Sequence, residues 1–340
     1  MTLSTKDIQI SFLNKVKDRL PKSQSIVTLM QETLKISMDA AYRRLRGQST
    51  LTFEEANQLA IQFGVSMDSR DVADERRVDF DAGKAIKTLA DYKAYNKRII
   101  ERMVSFSQSD LEAHMTYVCN DAPIFYAFKY QNLGRMKAFY WAKAILNLEA
   151  FKDLDYIDYR IDPDKEAMNR QVWNAYASIP SVEIWSPTCY LGTLKQIYHM
   201  WESKLLKNLD DVEAILTDLD DLIDCVVQQA TTGRKTLAKG IDLAARFNLH
   251  IVDIAVGNNV VLVEQNNSTA CFLSFNTFNF METSSSSFYG QSAQWAESLK
   301  HIAVHANEGN SDKVDAYQRL LHKQVESTRQ AIFRGQELIF

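Results

Sequence analysis

Apolar residues recur every three to four positions along most of this chain, and strict alternation is confined to its last third. The first stripe is Ile8, Phe12, Val16 and Leu20, which predicts an amphipathic helix between Asp7 and Pro21. Ile26, Leu29, Met30 and Leu34 predict a second. The pattern breaks at Lys35-Ile36 and restarts after Ser37, a residue type that caps helix starts. Over 38–46, Ala41 and Leu45 share a buried face. Asp39, Tyr42, Arg43 and Arg46 turn outward there, with Arg44 at the boundary. Gly47 stops this helix, as glycine does just past a helix end. Phe53, Ala56, Leu59, Ala60 and Phe63 line the face of another, which closes at Gly64.

The polar stretch 67–76 marks a domain boundary. Beyond it, helical spacing predicts helices over 88–108, 110–118, 133–146, 165–177, 187–205 and 209–231. The last carries an apolar stripe from Val212 to Val227 and ends at Gly233. Residues 152–166 read as a loop and 181–185 as a brief link. Alternation takes over at Leu249. Segments 251–256, 260–265 and 269–275 read as strands, separated by Gly257-Asn258-Asn259 and Asn266-Asn267-Ser268. A serine loop over 283–287 and two helices over 292–306 and 311–333 close the chain. The fold class expected is mainly α. A helix-turn-helix bundle occupies 1–73, a helical middle domain 77–248, and a small α+β unit with a short antiparallel meander 249–340.

Length changes this picture little, since 340 residues suffice for two or three cores. Charge adds more. Residues 1 to 70 hold ten Lys and Arg against seven Asp and Glu, a balance of +3. The whole chain stands at −4, so the remainder carries −7. A basic head on an acidic body excludes a whole-surface nucleic-acid binder and fits a chain in which the head alone meets DNA. The polar, mixed-charge start lacks the features of a signal peptide, and no apolar run approaches the ~18 residues of a membrane span. A cytoplasmic location without membrane contact is expected.

The layout over 25–66 resembles that of the bacterial helix-turn-helix regulators with a short reader at the N-terminus. Ile36-Ser37, the AAYRRLRG run, Leu59-Ala60 and FGVS at 63–66 carry the resemblance. It implies a transcription regulator whose helix over 38–46 enters the major groove of double-stranded DNA. Ser37, Asp39, Ala40, Tyr42, Arg43, Arg44 and Arg46 would then form the DNA-binding surface, with arginines clamping phosphates or reading guanine. Such regulators often place glycine in the turn where this chain has Lys35. A positive φ costs a non-glycine residue about 1 kcal/mol, so a turn of different shape is expected. A homodimer follows from the gain in affinity when a small reader is doubled. A protein-interaction module without DNA binding is the competing reading.

Other chemistry is sparse. Phe125, Tyr126, Phe139, Tyr140 and Trp141 form an aromatic cluster that reads either as an apolar pocket for a small-molecule effector or as core. His301 and His305 lie one helical turn apart without a third ligand, so no metal is expected. Ser284 to Ser287 and the acidic positions between Asp210 and Asp224 read as solvated surface. Cys119, Cys189, Cys225 and Cys271 form no C-x-x-C pair and read as buried thiols. No nucleophile or acid–base set is legible, so neither catalytic residues nor a cofactor are expected.

Overall fold

In a computed structural model, the described residues are 4–18, 20, 24–63, 65, 67, 78–107, 113–161, 163–237, 243–265, 268–276, 279–306, 308–336 and 338. The chain divides into two compact units, Met1–Asp79 and Phe80–Phe340. The sequence boundary at 67–76, Gly64, Pro21 and the Asn266-Asn267 turn lie wholly or mostly outside the described residues.

The first unit holds helices α1 (Thr5–Asp18), α2 (Ile26–Leu34), α3 (Met38–Leu45) and α4 (Phe53–Phe63). Serines start two of them. The Ser25 hydroxyl accepts the Val27 N–H at 3.2 Å, and the Ser37 hydroxyl accepts that of Ala40 at 3.3 Å. Phe12, Leu13, Val16, Met30, Ala41 and Leu59 form the core. Gln9 stitches α1 to the connection after α3. Its amide donates to the Arg44 and Ser49 carbonyls at 2.7 and 2.9 Å, and its oxygen accepts the Leu51 N–H at 2.7 Å. Lys35 sits in the left-handed region at φ 55, ψ 39, the conformation glycine would take. The expected change of turn shape therefore does not occur, and the chain tolerates the cost instead. Gly47 is left-handed too, at φ 66, and a Cβ there would stand 2.5 Å from Lys6 Cγ.

The second unit is built on a sheet. Helix α5 (Leu89–Ser107) precedes strand β1 (Ala113–Cys119). Helices α6 (Gln131–Tyr140) and α7 (Pro163–Ala177) lead to β2 (Ser181–Trp185), and α8 (Leu191–Glu202) and α9 (Leu209–Thr232) to β3 (Arg234–Thr236) and β4 (Leu243–Ile251). A meander follows, β5 (Val260–Gln265), β6 (Ser268–Phe275) and β7 (Asn279–Thr283), then α10 (Ser286–Ile302), β8 (Val304–Ala306) and α11 (Ser311–Arg334). Among the described residues these strands form one eight-stranded sheet in the order β3-β4-β2-β1-β5-β6-β7, with β8 also on β4. β1, β2 and β4 run parallel and the rest pair antiparallel. Tyr117 and Trp185 face the large core under α6, α7, α8, α9 and α11. Val118, Ile184 and Leu262 face the other way, against α10. None of the helices searched among the described residues is long and apolar enough to cross a membrane.

The mainly α expectation is thus wrong for the larger unit. Residues placed in a helix over 110–118 form β1 from Ala113 onward, and the supposed link at 181–185 is β2. Both lie in the interior of the sheet and are too short to declare themselves: β1 leaves His114 exposed and Thr116 half-buried and is covered on both faces only at its end, while β2 buries the polar Ser181 and Glu183. The division at 249 falls inside β4, which pairs with β2, so the supposed helical middle region and the C-terminal part share one sheet. Only β5–β7 form the antiparallel meander. The stretch after Ile251 is irregular, and its Val252 N–H donates to the Trp185 carbonyl at 2.9 Å. The apolar stripe of α9 is covered within the chain, by α6 and α11.

A buried ion pair joins β2, inside this sheet, to β3 at its end. Glu183, on β2 between Tyr117 and Leu249, is fully enclosed, as is Lys235 on β3. Their charged atoms are 3.9 Å apart. Glu183 also accepts from the Tyr176 hydroxyl, the Ser181 hydroxyl at 3.0 Å and the Trp185 indole at 2.9 Å. The Lys235 ammonium donates to the Tyr176 and Ile179 carbonyls at 3.0 and 3.1 Å and lies over the Tyr176 ring. Burial pushes Lys235 down to about 8 although Glu183 pulls the other way.

Two stability outcomes follow from these contacts. Glu183→Gln leaves Lys235 a buried charge without its counter-ion, and denaturant unfolding should register a loss of about 3–5 kcal/mol. On the surface of the same unit, the His322 ring nitrogens meet Asp220 at 2.7 Å and Asp224 at 2.8 Å, joining α11 to α9. Burial opposes its charge, but these hydrogen bonds outweigh it and raise its pKa. With the folded value above the unfolded one, the contribution is complete below about pH 6.5 and is lost as pH rises through the raised value. Melting of His322→Gln should therefore change less between about pH 6 and about pH 8 than that of the parent chain.

Candidate functional site

Two places carry chemistry, one in each unit. In the first, the short helix α3 stands out from the bundle. Ala41 is fully buried and anchors it, and Ala40 is half-buried. Ser37, Asp39, Tyr42, Arg43 and Arg46 are exposed along its outer side. The Arg46 guanidinium lies 5.7 Å from the centre of the Tyr42 ring, within reach of a cation–π contact. Arg44 behaves differently. It forms a two-pronged pair with Glu55 of α4, Nε at 3.0 Å and Nη2 at 2.8 Å, and is mostly buried. Burial works against the Glu55 charge, but Arg44 and the Thr52 N–H outweigh it and lower its pKa. Of the residues expected on the DNA-binding surface, Arg44 is thus committed to holding α3 on α4, while Arg43 and Arg46 are open to a partner.

The second place is a cavity of about 90 Å³ at the carboxyl end of β1. Clefts outside the carboxyl ends of parallel strands are the usual ligand positions of open α/β sheets. Here β1 runs out into Asn120-Asp121-Ala122-Pro123. The Asn259 side chain, from the turn before β5, accepts the N–H groups of Asn120 and Asp121 at 2.7 and 3.1 Å and so shapes that bend. Lys137 of α6 points its ammonium at Thr193 (2.6 Å), Gln196 (2.9 Å) and Asp121 (3.5 Å). Thr193 in turn donates to Asp121 at 3.4 Å. Tyr117 and Tyr190 complete the wall.

The aromatic cluster expected to enclose an apolar effector is divided by the fold. Tyr126 and Trp141 line this cavity. Phe125 stacks on Tyr176 at 4.8 Å, Phe139 packs among Phe151, Tyr156 and Tyr159, and Tyr140 packs on His199. These three belong to the core. Sequence reasoning missed Asp121, Lys137 and Thr193, because only the sheet brings positions so far apart in the chain together. The Asn-Asp-Ala-Pro sequence reads as the start of a helix, and a short 3-10 helix does follow at Ile124–Phe128, but nothing in it marks the end of a strand.

The remaining candidates resolve simply. His305 stacks on His250 across β8 and β4, ring centres 4.7 Å apart, and is not on a helix with His301. Ser285 caps α10 through the Phe288 N–H. Much of the acidic side of α9 is engaged rather than merely solvated. Asp211 pairs with Arg135, Asp220 with Arg329 and His322, and Asp218 accepts the Leu133 N–H. All four cysteines are buried and unpaired. Among the described residues no three His, Cys, Asp or Glu side chains gather as a metal site.

No protein family, curated protein or solved structure matches the chain.

Proposed function

We propose that the chain is a DNA-binding transcriptional regulator that acts in the cytoplasm as a homodimer, with α3 as the reading helix. The observation that carries this reading is the division of labour on α3. One face is spent on the bundle through Ala41 and Arg44, while Tyr42, Arg43 and Arg46 stand exposed beside the Ser37 cap. A helix entering the major groove needs that arrangement, with its first turns toward base edges and cations near the phosphates. The balance of +3 over residues 1 to 70 against −7 elsewhere also favours contact through this end alone.

Arg43→Ala should weaken binding to a selected duplex by about 1–3 kcal/mol, the usual worth of a bidentate base contact. Arg46→Ala should weaken binding to all duplexes alike and lower the salt slope by about one unit. Titration of both variants at several salt concentrations checks this, and unchanged binding in both removes α3 as the reader. An interaction module without DNA binding would show no salt-dependent association with duplex DNA at all.

The dimer rests on the geometry of the partner. A reader this small gains affinity and a defined half-site spacing only when doubled. With the α9 stripe covered inside the chain, pairing in the larger unit would use the edge of the meander at β7. Sedimentation of the full chain at micromolar concentration should give the mass of two copies, and a single-copy mass overturns this part of the reading.

A further inference from the structure

The outer side of α3 is not uniformly charged. Met38, the first residue of the helix, is 57 % exposed, and Tyr42 is 43 % exposed. They stand four residues apart, so both lie on one line along the helix, with exposed Arg46 next on it. The Arg46 guanidinium, 5.7 Å from the centre of the Tyr42 ring, steadies that end of the line. A second line beside it carries Asp39 and Arg43, both exposed. Single apolar residues scattered over a surface are ordinary. Here a methionine and a tyrosine are aligned on a helix of eight residues, between a serine cap and an arginine.

We propose, resting on α3 as the reading helix, that Met38 and Tyr42 read the C5-methyl groups of two thymines in the major groove. The base edges there offer hydrogen-bond donors and acceptors and one apolar group, the thymine methyl. Setting the Met38 thioether or the Tyr42 ring against a donor or acceptor would strip water from it without replacing the bond. Set against a methyl, each takes apolar surface out of water on both sides of the contact.

The placement fits that role. Reading helices turn their first turns toward base edges, and Met38 opens α3 directly after the Ser37 cap. Four residues rise about 6 Å along a helix, and base pairs are stacked ~3.4 Å apart. The two thymines therefore lie within about two base pairs of each other. Arg46, one turn further along the same line, comes to the phosphates, and Asp39 and Arg43 are left for hydrogen bonds to neighbouring bases.

The test uses the full chain and a duplex that it selects from a random-sequence pool. Each thymine of that duplex is replaced in turn by deoxyuridine, which lacks only the C5-methyl. At two positions within about two base pairs of each other, the replacement should weaken binding by about fourfold, the worth of one methyl removed from water. The salt slope should stay unchanged, because no charge is lost. Loss of a methyl also alters base stacking, so the assignment is made by double-mutant cycles. Met38→Ala should abolish the deoxyuridine effect at one of the two positions and Tyr42→Ala at the other. Both side chains are exposed, so neither variant should melt more than slightly below the parent chain. Absence of salt-dependent binding to any duplex overturns the reading of α3 itself, and this assignment with it. Selective, salt-dependent binding that is indifferent to deoxyuridine at every position overturns the thymine assignment alone. So does a deoxyuridine effect that persists undiminished in both variants. Loss of the two-copy mass in either variant would place this line against a second copy of the chain, and overturns the assignment as well.

Discussion

Glu183 and Lys235 impose the constraint on which the larger unit depends. A carboxylate and an ammonium removed from water are tolerable only when every remaining lone pair and proton is met. Meeting them requires Tyr176 from α7, Ser181 and Trp185 from β2, and the carbonyls at the end of α7, all at once. That requirement ties β2, β3 and α7 to one register. A slip of β2 by one residue would turn Glu183 toward the apolar side under α10. An apolar pair of similar volume would hold the layers together at least as well, so what this pair adds is specificity of arrangement, while its loss from one side is costly.

The same register decides where the cavity lies. With Glu183 opposite Tyr117, β1 ends two residues beyond, at Cys119 paired with Trp185. The chain must then turn away through Asn120 and Asp121, where the parallel strands give way to antiparallel β5. Asn259, from the turn before β5, clamps that bend, and α6 and α8 bring Lys137 and Thr193 over it. The cavity is a consequence of the sheet changing direction.

In the smaller unit the economy is different. Nine buried apolar residues among those described form the core, and connections are fixed by single polar groups such as Gln9. Lys35 bears the cost of a left-handed turn that glycine would adopt freely. Arg44 shows how a cationic helix face divides its labour: one guanidinium is held by Glu55, and its neighbours are left for whatever the helix meets.

Local information was enough for that unit. The helices, the cap at Ser37 and the stop at Gly47 were legible because each rests on spacing or on a hydrogen bond within three residues. The long helices α5, α9 and α11 were legible for the same reason. The sheet was not. β1 and β2 are short, and their alternation misleads: β1 sets His114 and Thr116 between buried residues over only a few positions, and β2 turns the polar Ser181 and Glu183 inward. Their partners lie far along the chain, Thr116 beside both Val182 and Leu262. Nothing in a local pattern states that pairing, because it is decided by burial and by the closing of backbone hydrogen bonds across the sheet. For the same reason an aromatic run that reads as either pocket or core was divided between the two, and Asp121, Lys137 and Thr193 became neighbours only once the strands had aligned.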